Sequence, residues 1–364
     1  MKRIKILDSC RGLAALIVVF HHLYTRFGYL YPQENSMAIH GVLNFISQLN
    51  GEAVLFFFIL SGFSIRLSLR KGLPVRKESL NEYLYRRFKR ILPLYFLALL
   101  VTFIAGLIIH QTFKPDYSIR NLIGNLFFLQ APVSYRGYWF SPYGENGPLW
   151  SLSFEMFYYL FFPLFIFTLV KLFKSEKFSP VQQRGILGIA FVFSLACLFI
   201  NNYFFFPYIA YAKFFFLWYC GFFLADLYLE NAIRFDANFM VMVLFCLLLG
   251  GLMTFRRSDS LVQLFEGVTM LTVFYILMAI RRNFSRRFLA RTEKTANFLF
   301  FYLGKGSYAF YLLHYPVILV LKSFENISVP VIVLTMAVLA YLCVHLEEFF
   351  VERKFRIFQV QYVR

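Results

Sequence analysis

The chain has 364 residues, of which 60% are hydrophobic, 21% aromatic and only 15% charged, and its mean hydropathy is +0.62. Soluble domains carry about 25% charged residues, so a soluble enzyme is excluded. The net charge of +18 would suit a nucleic-acid partner in a soluble chain, but here the basic residues fall in short connections between apolar runs, which excludes nucleic acid and assigns them to topology.

Taken in chain order, apolar runs near the roughly 20 residues that span a hydrocarbon core predict about ten helices, near 11–31, 51–69, 91–112, 148–172, 185–204, 209–229, 238–255, 261–280, 307–322 and 328–350. The first follows Lys2, Arg3, Lys5 and Arg11 as a signal peptide would. No small-residue cleavage site comes after it, so it is read as an uncleaved helix. Leu122 to Leu129 is too short to span and reads as an interfacial or re-entrant piece, as does Phe298 to Leu303. The runs are continuous and not alternating, which argues against a β-barrel. The expected fold is therefore all-α, a polytopic transmembrane helical bundle forming one integral membrane domain over 1–364, with no appended soluble domain.

Orientation follows from the loops. The tail before the first helix, the stretch from Arg66 to Arg90, the group from Lys171 to Arg184, the run from Arg281 to Lys294 and the C-terminal tail are all basic. The opposite side has no Lys or Arg between Phe27 and Asn50 and only Lys114, Arg120 and Arg136 in its longest loop. Both termini are thus expected on the cytoplasmic side of a cell inner (plasma) membrane. The five cysteines, Cys10, Cys197, Cys220, Cys246 and Cys343, show no metal-type spacing, and no metal site is expected.

Ionisable groups inside the spans are few, and each is a candidate for function: His21, His22, Glu155, Asp226, Glu266, His314 and His345. His22 lies eleven residues after Arg11, about 16 Å along a helix, and Glu155 sits about 10 Å into its own helix from the opposite face. The depths of His22 and Glu155 overlap. A carboxylate beside an imidazole fixes its tautomer and raises its basicity, as deprotonation of a hydroxyl requires. The structural alternative is that either residue only hydrogen-bonds neighbouring helices. His21 and His22 are about 100° apart on the helix and cannot both face one site. Arg86, Arg87, Lys89 and Arg90 either set topology or match a phosphate-bearing ligand, since guanidinium forks meet phosphate oxygens in pairs.

Five runs carry a resemblance: Leu7-Asp8-Ser9-Cys10-Arg11-Gly12 continuing to His22; Phe57-Phe58-Ile59-Leu60-Ser61-Gly62-Phe63; Arg86-Arg87-Phe88-Lys89-Arg90; Pro148-Leu149-Trp150-Ser151-Leu152-Ser153-Phe154-Glu155; and Leu303-Gly304-Lys305-Gly306-Ser307-Tyr308 continuing to His314-Tyr315-Pro316. In this order they resemble the acyltransferase family 3 membrane proteins, about ten helices each, which O-acylate surface polysaccharides, peptidoglycan, antibiotics or lipids. Lys354 stands where the family often has Pro. The resemblance implies acyl-CoA, acetyl-CoA foremost, as donor substrate with no bound cofactor. It implies a glycan or lipid-linked sugar as acceptor, and His22 as the catalytic base with Glu155 in support. Arg11, Arg86, Arg87 and Arg90 become donor-binding candidates, and Ser61, Trp150 and His314 substrate-binding candidates. Ser307 reads as a helix N-cap. A transporter of an acylated or glycosidic metabolite is the alternative, since its pathway would also be lined by such groups; paired inverted repeats, common in transporters, are absent from the sequence. A receptor-like or scaffold protein would leave His22, Glu155 and Arg86 without a purpose.

Overall fold

The computed structural model describes residues 4–28, 37–69, 72–131, 139–204, 207–233, 259–283, 300–324 and 326–353. Among them every regular element is helical, so the protein is an all-α polytopic membrane protein. The helices are α1 (Lys5–Phe27), α2 (Met37–Gln48), α3 (Asn50–Ser68), α4 (Lys77–Ile108), α5 (Ile119–Leu126) and α6 (Trp150–Phe173). They continue with α7 (Pro180–Phe204), α8 (Phe215–Leu229), α9 (Asp259–Asn283), α10 (Ser307–Lys322) and α11 (Val329–Glu347).

Eight segments of the described residues are long and apolar enough to cross a membrane, with most of α2 and all of α3 forming one 30-residue stretch; α10, at 16 residues, is shorter. The helix expected at 238–255 lies outside the described residues, as do Arg136, Cys246 and Lys354. The short apolar piece before Gln130 is the eight-residue helix α5, capped by the Ser118 hydroxyl, which accepts from the Asn121 N–H.

One expected boundary moves by four turns. The third span, placed at 91–112, is a helix of 32 residues that begins at Lys77. At 1.5 Å per residue it is about 48 Å long, against a hydrocarbon core of about 30 Å. Hydropathy registers only the part in lipid, whereas Lys, Glu and Arg favour helix as well as Leu does. The Arg86 to Arg90 cluster therefore sits inside a helix and not at its mouth.

The chain divides into two compact units, one of Met1–Ala53, Tyr85–Ser153 and Glu293–Arg364, the other of Val54–Leu84 and Phe154–Thr292. In the first, α1 packs on residues 300–304 backbone to backbone: a Cβ on Gly12 would overlap the Phe300 carbonyl, and one on Gly304 the Asp8 carbonyl. Only glycine permits this approach. Below this contact the first turn of α10 lacks the expected cap. Gly306 occupies the N-cap position and Ser307 turns its hydroxyl back to the Gly304 carbonyl, 3.0 Å away. The cap comes from another helix, since Oε2 of Glu347 in α11 accepts from the Ala309 N–H at 3.4 Å. A carboxylate there meets both the unpaired N–H groups and the positive end of the helix dipole.

Two prolines open gaps that side chains fill. Proline has no N–H, so it leaves the carbonyl four residues earlier without its helical partner. In α10, Pro316 frees the Leu312 carbonyl, which accepts from Asn146 Nδ2 at 3.2 Å; the same amide donates to Thr102 Oγ1 at 3.0 Å. In α6, Pro163 frees the Tyr159 carbonyl, which accepts from the Tyr83 hydroxyl at 3.1 Å. The first device lies in the first unit and the second in the second.

The core of the second unit is aromatic. Phe58, Phe154, Tyr158, Phe162, Phe214, Phe215 and Trp218 are buried and form a continuous chain of ring contacts. Much of the Phe and Tyr content thus serves packing within the protein. In the first unit, the stretch between α4 and α6 is polar: Lys114 pairs with Glu145, and Asn121 and Asn125 bind backbone carbonyls. There burial, with Glu145, Tyr143 and Asp116 nearby, pushes the Tyr117 hydroxyl up to about 12, so it stays protonated at neutral pH.

Candidate active site

In the first unit α1 and α10 bring two imidazoles together. The His22 ring stacks on that of His314 with centroids 5.3 Å apart and planes 30° apart, and meets the Tyr315 ring edge-on at 4.9 Å. Among the described residues the His22 ring nitrogens make no hydrogen bond. His314 is fully buried; its Nδ1 is 3.1 Å from the Phe310 carbonyl, and its Nε2 has no partner among the described residues. A carbonyl only accepts, so Nδ1 carries the proton and Nε2 presents a bare lone pair. Buried polar atoms are almost always satisfied, and an exception marks a place where a ligand or proton belongs.

Arg26, one turn after His22 on α1, completes the cluster. Its guanidinium donates to the Tyr315 hydroxyl and lies over that ring, 5.6 Å from the centroid. Sequence reading passed over Arg26, although its i, i+4 relation to His22 puts both on one helix face. His21 has a structural role: Nδ1 is 2.9 Å from the Ser47 carbonyl and 3.1 Å from Asn50 Nδ2.

Arg11, eleven residues before His22, pairs with buried Asp8 at 3.2 Å and keeps only 15% of its side chain exposed. Arg11 and Arg90 both act electrostatically on the Glu347 carboxylate. Two predicted donor-binding residues are thereby brought to one place by an acid that the sequence reading did not single out. Its signal was a Glu-Glu pair at the basic end of an apolar helix. Arg87 is 6% exposed and Arg86 is half-buried on the same helix.

In the second unit Glu155 and Ser61 come together. Glu155 Oε1 accepts from the Ser61 hydroxyl at 2.9 Å and from the Tyr159 hydroxyl, and Trp218 Nε1 donates to Ser61 Oγ at 3.4 Å. Sequence dictates this locally. Glu155 and Tyr159 are four apart on α6, and Gly62 and Gly221 let α3 and α8 touch backbone to backbone beside Ser61. The hydrogen bonds of Glu155 thus run to hydroxyls and not to an imidazole. Lys213 is 2% exposed, with Nζ 3.5 Å from Gln263 Oε1 and lying over the Phe214 ring. Trp150 opens α6 in the first unit and is half-buried; the next residue, Ser151, shares a 2.9 Å hydrogen bond with the Tyr311 hydroxyl. No group of three or more His, Cys, Asp and Glu among the described residues is placed to hold a metal.

The chain is similar to the acyltransferase MdmB of Streptomyces mycarofaciens, with 33% identity over 171 residues, 44% of this chain and 39% of that one. It is similar to an O-acetyl transferase of Shigella phage Sf6, with 29% identity over 42% of this chain and 43% of that one. It also resembles the peptidoglycan O-acetyltransferase OatA of Listeria monocytogenes, with 27% identity over 48% of this chain and 26% of that one. The matches span less than half the length of each of these relatives. No solved structure matches it significantly. The acyltransferase domain profile of family 3 matches residues 4–346, which include α1 with His22, the arginines of α4, Glu155 and α10 with His314, and the chain belongs to that family.

Proposed function

We propose that the protein transfers an acyl group, acetyl foremost, from acyl-CoA to a hydroxyl of a cell-surface glycan or lipid-linked sugar in the plasma membrane. The observation that carries this reading is the pair of stacked imidazoles with open nitrogens, held inside a membrane helix bundle beside an arginine. The relatives whose names specify O-acetyl transfer, one of them to peptidoglycan, point the same way.

In this reading neutral His22 takes the proton of the acceptor hydroxyl as its oxygen attacks the thioester carbonyl. His314, through its bare Nε2, holds the acceptor in place as a hydrogen-bond acceptor. Arg26, braced by Tyr315, faces the negative charge that develops on the carbonyl oxygen. The tetrahedral intermediate collapses with cleavage of the C–S bond, and the His22 imidazolium returns its proton to the departing thiolate. The donor's phosphates bind at the basic end, near Arg11 and the α4 arginines. Its thioester arm then reaches about 16 Å along α1 to His22. Glu155 acts by fixing Ser61 and Tyr159.

The test uses protein purified in detergent, given acetyl-CoA and a thiol-detecting reagent. Free thiol should appear at a rate that rises with an added hydroxyl acceptor, and glycans of cells carrying the protein should gain the acyl mass. In the Arg86→Gln, Arg87→Gln, Arg90→Gln triple variant, KM for the donor should rise more than about tenfold, since each charge-assisted hydrogen bond contributes about 1.5–3 kcal/mol. Transport of an acylated sugar without thiol release would overturn the assignment in favour of an exporter.

A further inference from the structure

A second feature of the first unit takes no part in the acyl-transfer reading. A cavity of about 740 Å³, open on one side, runs between α1 and α11. Leu16, Val19 and Phe20 line one wall and Met336, Ala337 and Ala340 the other. Two alanines stand where larger side chains would close the seam. Along α11 the lining extends from Val333 to Glu348, about 22 Å of helix, against about 15 Å for the hydrocarbon of one leaflet. The volume falls in the range of about 300–1,000 Å³ that seats one small ligand.

The polar groups of the groove are gathered at one end. There Tyr302, His345 and Glu348 form its rim. Lys305 lies 5.6 Å over the Tyr302 ring and 5.3 Å over the Phe301 ring, and Lys5 is 5.7 Å over Phe301. The one acid at the rim, Glu348, is 3.9 Å from both Lys305 Nζ and His345 Nδ1, at the outer limit of pairing. An ammonium has three donors, so Lys305 can hold an anionic oxygen while keeping its place beside Glu348. This end is the one that loop charge places on the cytoplasmic side.

We infer that this groove is a binding site for one anionic glycerophospholipid of the cytoplasmic leaflet, with an acyl chain along α1 and α11 and the phosphate at Lys305. Lipid tails are as apolar as the groove wall, so an apolar slot alone does not select one lipid over another. Lys305, beside the rim, supplies the selectivity, because one Lys or Arg near an anionic headgroup strengthens attraction about fivefold. The length and polarity of the slot fit a single chain entering from the basic end.

Native mass spectrometry of the purified protein with added phosphatidylglycerol or phosphatidylcholine tests this, with thermal unfolding as a second readout. The wild type should retain one phosphatidylglycerol at least about fivefold more than phosphatidylcholine, and that lipid alone should raise the melting temperature. Lys305→Gln should erase the preference while leaving weak binding of both lipids. Ala340→Phe, which fills the slot, should abolish retention of both while size-exclusion profiles stay monodisperse. Equal retention of the two lipids by the wild type, or an undiminished preference in Lys305→Gln, overturns the proposal. If Ala340→Phe is not monodisperse, the Lys305→Gln result decides alone.

Discussion

Two buried polar clusters, one in each unit, are treated in opposite ways. In the second, the Glu155 carboxylate is bound by Ser61 and Tyr159, and Ser61 is bound again by the Trp218 indole, within a wall of aromatic rings. In the first, His314 keeps a buried nitrogen without a partner, and the His22 ring that stacks on it makes no hydrogen bond among the described residues. A satisfied cluster holds helices in place. An unsatisfied one tolerates the loss, typically about 1–3 kcal/mol per group, because something else is to bind there. The proposed function accordingly puts the chemistry at the first cluster and gives the second a packing role.

The contrast breaks if the largest effect falls elsewhere than on His22. His22→Ala should lower kcat by about 10²–10⁴-fold, or about 3–5 kcal/mol of transition-state stabilisation, with expression and monodispersity unchanged. His21→Ala, which loses the hydrogen-bond contacts to Ser47 and Asn50 and an edge contact to the His22 ring, should lower it modestly. Near-normal turnover in His22→Ala with a dead His21→Ala would show that the other imidazole of α1 is the base.

A smaller effect sharpens the reading of Glu155. Glu155→Gln keeps the shape but loses charge-assisted hydrogen bonds to two hydroxyls, so it should lower stability by about 1.5–3 kcal/mol and turnover less than tenfold, with the pH optimum unmoved. Titration of kcat against pH decides this. A shifted optimum would restore the expectation that the carboxylate supports the catalytic imidazole.

The smallest effects compare the two proline devices. Asn146→Ala leaves the Leu312 carbonyl unpartnered and should cost about 1–3 kcal/mol, whereas Tyr83→Phe, which loses one hydrogen bond to the Tyr159 carbonyl, should cost about 1 kcal/mol. Of these two, only Asn146→Ala should also slow turnover, because Leu312 lies two residues before His314. Equal losses of turnover in both variants would mean that the first proline gap has no special link to the chemistry.

Much of this was legible in the sequence because it depends on local rules. Apolar length marked the spans, and the Arg11 to His22 spacing fixed depth on a single helix. What was not legible depends on which helix meets which. The carbonyls freed by Pro316 and Pro163 are readable from the sequence, but the side chains that fill them, Asn146 and Tyr83, come from 166 and 76 residues away along the chain. Glu347 caps a helix it does not belong to, which displaced Ser307 from the role local preference gave it. The early start of α4 escaped because hydropathy measures lipid contact and helix propensity does not. Arg26 was within reach, since it shares a face with His22 and falls inside the expected span 11–31.

The close seam of Gly12 and Gly304 has a consequence for how the protein is made. α1 leaves the ribosome long before the backbone it fits against and the imidazole that His22 stacks on; Arg26 and Tyr315 are 289 residues apart. Until residues 300–304 are made, the glycine notch of α1 has no backbone to receive. A chain cut short before α10 would therefore lack the imidazole pair, which forms only when α10 reaches α1.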